Sequence, residues 1–202
     1  MKNKHDFYVY PTLLDGYNYA KKSGNYQDVF DRINKVKKEM PEFVLKGSSF
    51  EHCVNAKIDG INLYSHDGFT FDNKLVDKIA YKLQNCTSKQ KWIEKIVPFS
   101  GGNLRVGGFV DYLFDDKIVD LKTTQNYRLS KYKDNNQTGA YGLILPEKKE
   151  FIYLATDFTN YYIEPYKNTK DKHDEFISNV EEFYLFCKEN ESLIKDRKIF
   201  GE

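Results

Sequence analysis

The run Gly107-Gly108-Phe109-Val110-Asp111-Tyr112-Leu113-Phe114-Asp115-Asp116-Lys117-Ile118-Val119-Asp120-Leu121-Lys122 constrains this chain more than any other stretch. Two apolar-rich segments flank a short polar pair, the pattern of two antiparallel strands joined by a tight turn. If Asp115-Asp116 forms a two-residue loop, the register follows. Phe114 faces Lys117, Leu113 faces Ile118, Tyr112 faces Val119, and Asp111 faces Asp120. Like charges directly opposite one another cost stability. Side chains alternate along a strand, so Lys122 shares the face of Asp120. Two acids and a lysine on one face form a layout suited to Mg²⁺, whose oxygen coordination would convert repulsion into binding. A solvated hairpin face accounts for the same alternation. The turn also lacks the Asn-Gly or Asp-Gly pair that holds such hairpins in register, and a slip of one residue would separate the acids.

At 202 residues the chain has enough length for a substantial core, and one domain is expected. A hydrophobic content of 40% with 16% aromatics fits a globular protein. No apolar run approaches membrane-spanning length. The stretch Phe7-Tyr8-Val9-Tyr10-Pro11 is too short for a signal-peptide core. Cys53, Cys86 and Cys187 are far apart and form no Cys-x-x-Cys pair, which argues against a zinc site or an iron–sulfur cluster. An odd cysteine count without an export signal points to reduced thiols in cytoplasm. The net charge of +1 means that a nucleic-acid partner would have to use local basic patches. Such groups occur at Lys35, Lys37 and Lys38, at Lys89 and Lys91, at Arg128, Lys131 and Lys133, and at Lys167, Lys170 and Lys172. Each also reads as a solvated helix face or loop. Arg128, Lys131 and Lys133 are the candidate substrate-binding group, because they follow the acidic stretch directly.

Periodicity predicts helices over 11–23, 26–39, about 47–57 and 72–85, with 59–71 irregular. Lys91 to Phe99 reads as a strand, with Pro98 near an end or an edge. The acidic hairpin follows a turn at Ser100 to Asn103. Asn135 to Ile144 reads as a helix, and 151–156 and 161–166 read as strands joined at Asp157 to Asn160. A long helix carrying Phe176, Ile177, Val180, Phe183, Tyr184 and Cys187 at regular spacing closes the chain over about 170–196. Helices, three strands, a helix, strands and a helix suggest an α/β (α+β) fold with a central mixed β-sheet flanked by helices.

Two further constellations stand out. Glu51 lies one turn into a helix expected to begin at Ser48. There Ser48-Ser49-Phe50-Glu51 fits a capping box, the reading that spacing alone favours because Ser-x-x-Glu is a common helix start, and the functional alternative is that Glu51 supplies a third carboxylate to a metal. Gln137 and Tyr141 are four apart and share one helix face. Core packing explains them, but an amide beside a phenol could also hold a phosphate near the acids. Trp92 and the tyrosines could stack bases, although their spacing also suits core packing. No Ser-His-Asp set, dinucleotide fingerprint or P-loop is visible.

Gly47-x-x-Phe50-Glu51, Val106-x-Gly108-x-Val110-Asp111, Val119-Asp120-Leu121-Lys122-Thr123-Thr124 and Gln137-x-x-x-Tyr141 together resemble the PD-(D/E)XK nuclease superfamily. The likeness is to its RecB-type branch of phage and bacterial exonucleases. Tyr10-Pro11-Thr12-Leu13-Leu14-Asp15 is also similar to the N-terminal helix of phage members, so the resemblance spans about residues 10 to 156. It implies a restriction-endonuclease-like core in a single domain over 1–202. That domain would comprise N-terminal helices at 10–57, a catalytic core at about 47–166 and a C-terminal helix. It implies Glu51, Asp111 and Asp120 as metal ligands, together with the carbonyl of Leu121. Lys122 would orient or activate water, and Gln137 and Tyr141 would support the site and contact substrate. Val110 stands where the name-giving motif has proline, and the four cysteines of some relatives are missing, so no iron–sulfur cluster is implied.

The expected activity is a DNA exonuclease using one or two Mg²⁺ or Mn²⁺ ions and leaving 5′-phosphate products, in phage or bacterial recombination or repair. The location implied is the cytoplasm of a bacterium or a phage-infected host. DNA is the implied partner, and a strand-annealing or recombination protein and a homo-oligomer are compatible with the resemblance. A structure-specific endonuclease of the same fold and a catalytically silent DNA-binding or interaction module are the alternatives.

Overall fold

The turn at Asp115-Asp116 closes as the two-residue register requires. Phe114 N–H donates to the Lys117 carbonyl at 2.9 Å, Leu113 lies opposite Ile118 and Tyr112 opposite Val119. This hairpin stands at the centre of a computed structural model that describes residues 5–202. Met1 to Lys4, at the start of the stretch read for an export signal, lie outside the described residues. The hairpin strands are β5 (Gly102–Leu113) and β6 (Lys117–Thr123). Strand β4 (Ser88–Phe99) runs antiparallel to β5, with the pairing interrupted only at Gln90, and among the described residues it has no second neighbour in the sheet, so Pro98 lies on an edge strand, one residue from its end. The other edge of β5 is divided. The short β1 (Phe7–Val9) pairs parallel with residues 104–106, and β6 pairs only at 112–113. The sheet continues through β7 (Glu150–Thr156), parallel to β6, and β8 (Tyr161–Lys167), antiparallel to β7. It is therefore mixed, as the sequence implies.

Helices cover both faces. Adjacent strand residues point to opposite sides, and on β6 Ile118 belongs to one apolar cluster while Val119 belongs to another. On the first side lie α1 (Pro11–Ser23), α2 (Gln27–Ile33), α5 (Asn136–Ile144) and α6 (Lys170–Glu189), through Leu14, Val29, Ala140, Val180 and Phe183. On the second lie α3 (Glu42–Ile58) and α4 (Asn73–Leu83). There Phe50, Val54, Val76 and Ile79 pack on Tyr112, Val119 and Leu154. Helix α4 begins at Asp72, whose carboxylate accepts from the N–H of Leu75 at 2.8 Å.

The structure corrects several sequence expectations. The second helix ends at Ile33 instead of 39. Asn34 is captured by the C-terminal segment, donating to the Leu193 carbonyl and accepting from Lys195 N–H, and Lys35 turns left-handed at φ 55°. The third helix starts five residues early, because Glu42, Leu45 and Lys46 are good helix formers that carry the helix back to Pro41. Ser48 is then interior, so the capping-box reading of Ser48 and Glu51 is overturned. The segment expected to be irregular contains a small hairpin, β2 (Ser65–His66) with β3 (Phe69–Thr70), turned by Asp67 and Gly68 at φ 48° and 82°. That Asp-Gly pair is a hairpin signal by itself. Strand β1 has no counterpart in the sequence reading. The last helix stops at Glu189, and two 3-10 turns, Glu191–Leu193 and Arg197–Phe200, follow in place of a helix to 196.

One close approach sets the position of α3. A Cβ at Gly47 would collide with the hydroxyl of Thr123, at the end of β6. Glycine therefore brings α3 down onto the strand that carries Asp120 and Lys122. Gly47→Ala is expected to lower stability by about 1–3 kcal/mol, the usual cost of overpacking. Adding Thr123→Ala should recover most of the loss, measured by urea unfolding of the single and double variants; additive effects would refute the contact.

Candidate active site

The β5–β6 ladder stops one step before Asp111 and Asp120 would face each other. In a continued ladder Leu121 would pair with Val110. Instead Leu121 N–H donates to Asp111 Oδ2 at 2.9 Å. In an extended strand the N–H and C=O of one residue leave on the same edge, so the Leu121 carbonyl faces the same gap. The sheet opens where two carboxylates would otherwise be forced together.

Around this gap the fold gathers side chains from six elements. Asp120 is buried; its Oδ1 accepts from Gln137 Nε2 at 2.7 Å, and its Oδ2 lies 2.8 Å from Lys122 Nζ. Glu51, on α3, accepts from Gln90 Nε2 of β4, and that same amide is 3.4 Å from Asp111 Oδ1. Asp15, on α1, accepts from the backbone N–H and the side-chain amide of Asn136 at 2.7 and 2.8 Å, at the first turn of α5. The site is thus built from β4, β5 and β6 with one carboxylate from each of α1 and α3, and Gln137 comes from α5.

Its electrostatics are unbalanced. Burial raises the pKa of Asp111 well above the carboxylate range, and the charges of Asp120 and Glu51 add to the rise. Burial, then Asp120, raises Glu51. Burial also raises Asp15, against the hydrogen bonds from Asn136. For Lys122 burial acts downward, but Asp120, Asp111 and Asp15 outweigh it and the ammonium is held above its usual value. Among the described residues, four carboxylates share this pocket of the fold with the one ammonium of Lys122. Such an arrangement calls for protons or a cation.

The structure brings Glu51, Asp111, Asp120, Leu121, Lys122 and Gln137 together as the sequence pattern implies. Tyr141 shares the helix face of Gln137, but its hydroxyl is spent on the Phe109 carbonyl at 2.8 Å, fastening α5 to β5. Gly108 makes that possible, since a Cβ there would stand 2.5 Å from the phenol oxygen. The three basic candidates separate. Arg128 and Lys133 are exposed, whereas Lys131 turns inward, its ammonium on Thr124 Oγ1 and the Asn126 carbonyl. Their loop is anchored by the buried carboxylate of Glu164, which accepts from Lys131 N–H, Tyr132 N–H and the hydroxyl of Tyr166. Burial would raise Glu164; the hydrogen bonds it receives outweigh that and hold it low. Tyr132 stacks on Tyr153 at 4.8 Å, and burial pushes its hydroxyl up to about 12.

Sequence reasoning missed Gln90 and Glu164, and gave Asp15 no role. Gln90 is left-handed at φ 47° in mid-strand, a conformation that costs a non-glycine residue about 1–2 kcal/mol and that no local signal announces.

The donor set consists of carboxylates and one backbone carbonyl, which suits a hard divalent cation. The match is one of chemistry and charge. Among the described residues no three His, Cys, Asp or Glu side chains close on a single point, because their oxygens are turned to Gln90, Gln137, Lys122 and Leu121 N–H. No family model and no curated protein matches the chain. Its fold is similar to the crystal structure of SSO0001, with a TM-score of 0.56 at 10% identity over 91% of this chain and 77% of that one. Among the described residues no helix is long and apolar enough to cross a membrane.

Asp111→Asn keeps an acceptor for Leu121 N–H and removes a charge, so without metal it should be more stable than wild type at neutral pH. A gain of about 1 kcal/mol would move the thermal midpoint by roughly 2–4 °C for a chain of this size. A folded-state pKa above the unfolded value means that the native state binds the proton more tightly, so wild type gains on the variant as pH falls from neutral through the raised range of Asp111. Midpoints of both proteins in chelator across that pH range test this; a constant difference would refute it.

Proposed function

We propose that this chain is a metal-dependent DNA exonuclease of the PD-(D/E)XK type, in its RecB-like branch. The observation that carries the reading is the break in the β5–β6 ladder, with the buried Asp120 and the half-buried Asp111, Glu51 and Asp15 gathered around one lysine. A phosphodiester is itself anionic, so a site this rich in carboxylates serves it only with added positive charge. Glu51, Asp111, Asp120 and the Leu121 carbonyl would hold one or two Mg²⁺ or Mn²⁺ ions. When bound, such an ion neutralises the phosphate, lowers the pKa of water and supports the leaving oxygen.

The chain's own residues have separable tasks. Lys122, kept protonated by three carboxylates, is suited to orienting water and stabilising charge that grows on the phosphate, and not to accepting a proton. Gln137 holds the Asp120 carboxylate by donating to Oδ1. Tyr141 acts as a positioning residue, since its hydroxyl is committed to Phe109. Arg128 and Lys133, exposed on the loop that Glu164 anchors, supply phosphate contacts. Cleavage would leave a 5′-phosphate and a 3′-hydroxyl. DNA is the partner of this reading, and a strand-annealing protein is one the resemblance implies.

The test is digestion of end-labelled linear duplex, linear single strand and covalently closed circles with Mg²⁺ or Mn²⁺. Linear DNA should be degraded and circles should survive. Asp120→Ala and Lys122→Ala should each reduce the rate by about 100-fold or more while DNA binding persists. Cutting of closed circles would make the protein an endonuclease, and unimpaired cleavage by either variant would remove these residues from the chemistry.

A further inference from the structure

Beside the acidic gap the sheet displays an aromatic pair that core packing does not explain. Trp92 of β4 lies directly opposite Phe109 of β5, and the rings meet edge to face with centroids 5.1 Å apart. Both are open to solvent, Trp92 at 39% and Phe109 at 56% of their surface. Trp92 is nevertheless fixed in place. Its indole N–H donates to Glu94 Oε2 at 2.9 Å, and that carboxylate is held in turn by the guanidinium of Arg105. The ring lies over Gly107, where a Cβ would come within 2.8 Å of it. A glycine beneath, a hydrogen bond at one edge and a phenyl ring against it together orient an exposed indole, which would otherwise lose rotamer freedom for little burial.

Its location points to a ligand. Trp92 and Phe109 form the cross-strand row next to Gln90 and Asp111, two residues away on each strand. Alternation returns side chains two apart to the same face, about 7 Å along the strand. The aromatic row is therefore continuous with Asp111, and through Gln90 with Glu51, on the α3 side of the sheet, while Asp120 and Lys122 reach the gap from the side that α5 covers. An apolar, oriented, π-rich surface one step from a phosphate site matches the neighbouring base of the same strand. Bases stack on aromatic side chains irrespective of their identity. A base within an intact duplex has both faces covered, so only an unpaired one presents a free face.

We infer that Trp92 and Phe109 form a stacking platform for an unpaired nucleobase of the DNA strand that enters the acidic site. This inference rests on the nuclease reading. It adds that the productive substrate is single-stranded, or a duplex end that has frayed.

Trp92 is the single tryptophan of the chain, so its fluorescence reports on this surface alone. In chelator, a dT12 single strand should quench that emission strongly, and a blunt hairpin duplex of equal length weakly. Trp92→Ala and Phe109→Ala should weaken dT12 binding by about 5- to 100-fold by anisotropy, the range for loss of one stacked base. Trp92→Phe should restore part of it. In a set of oligonucleotides with one abasic position moved along the strand, one placement should abolish the difference between wild type and the Ala variants, because base and indole are then two halves of one contact. Circular dichroism and thermal midpoints of the variants separate these effects from misfolding.

Metal-dependent cleavage with no quenching, and unchanged binding by the variants, would overturn the platform and leave the nuclease reading intact. Quenching and variant effects without any cleavage would uphold the platform and remove the enzyme. A concentration-dependent dimer lost in the Ala variants, with no response to DNA, would show a self-association surface and overturn the proposal.

Discussion

The ion pair of Asp120 and Lys122 lies among Asp111, Glu51 and Asp15, and one ammonium does not balance four carboxylates. Coulomb repulsion between buried charges is weakly screened, so the backbone around them reflects it. The ladder between β5 and β6 is intact at the turn, where Leu113 and Tyr112 pair with Ile118 and Val119, and it ends before the two acids meet. Leu121 N–H, freed from a strand partner, turns to the Asp111 carboxylate. The opening created there gives the site an edge at which backbone and side-chain oxygens are both presented.

Much of the remaining architecture holds this opening. Gly47 brings α3, and with it Glu51, against the end of β6. Gly108 admits the phenol of Tyr141, which fastens α5 so that Gln137 reaches Asp120. Asp15 caps the first turn of α5 through Asn136, and Asn136 receives Asn179 of α6, so three helices are tied to one half-buried carboxylate. The left-handed Gln90 and the raised carboxylates store unfavourable energy that the two apolar clusters offset. Sites that bind ligands commonly carry such local destabilisation, with the rest of the fold more stable in compensation.

Legibility in the sequence followed the range of the interactions involved. The hairpin at Asp115-Asp116, helix α1, helix α4 and the alternation of β6 depend on residues within a few positions of one another, and all were readable. So was the pairing of Gln137 with Tyr141 on one face, which needs only helical period. The acids Asp111 and Asp120 stood out because hydrophobic alternation made their placement anomalous. What failed was decided by distant partners. The second helix stops where the C-terminal segment captures Asn34. The third helix runs back to Glu42, which changes Ser48 from a cap into an interior residue. Strand β1 exists because β5 offers a free edge over residues 104–106.

By itself the sequence determined the two strands of the acidic hairpin, the turn between them and a row of acids, a lysine and an amide in a fixed order. Local propensity and alternation act over a few residues, and they suffice for that much. Tertiary structure decided which groups meet. It recruited Gln90, Asp15 and Glu164, turned Lys131 inward, spent the Tyr141 hydroxyl on a backbone carbonyl and left Trp92 facing solvent beside the acids. Each of those outcomes depends on close approach between residues far apart in the chain, where burial and unscreened charge, not local pattern, set the energy.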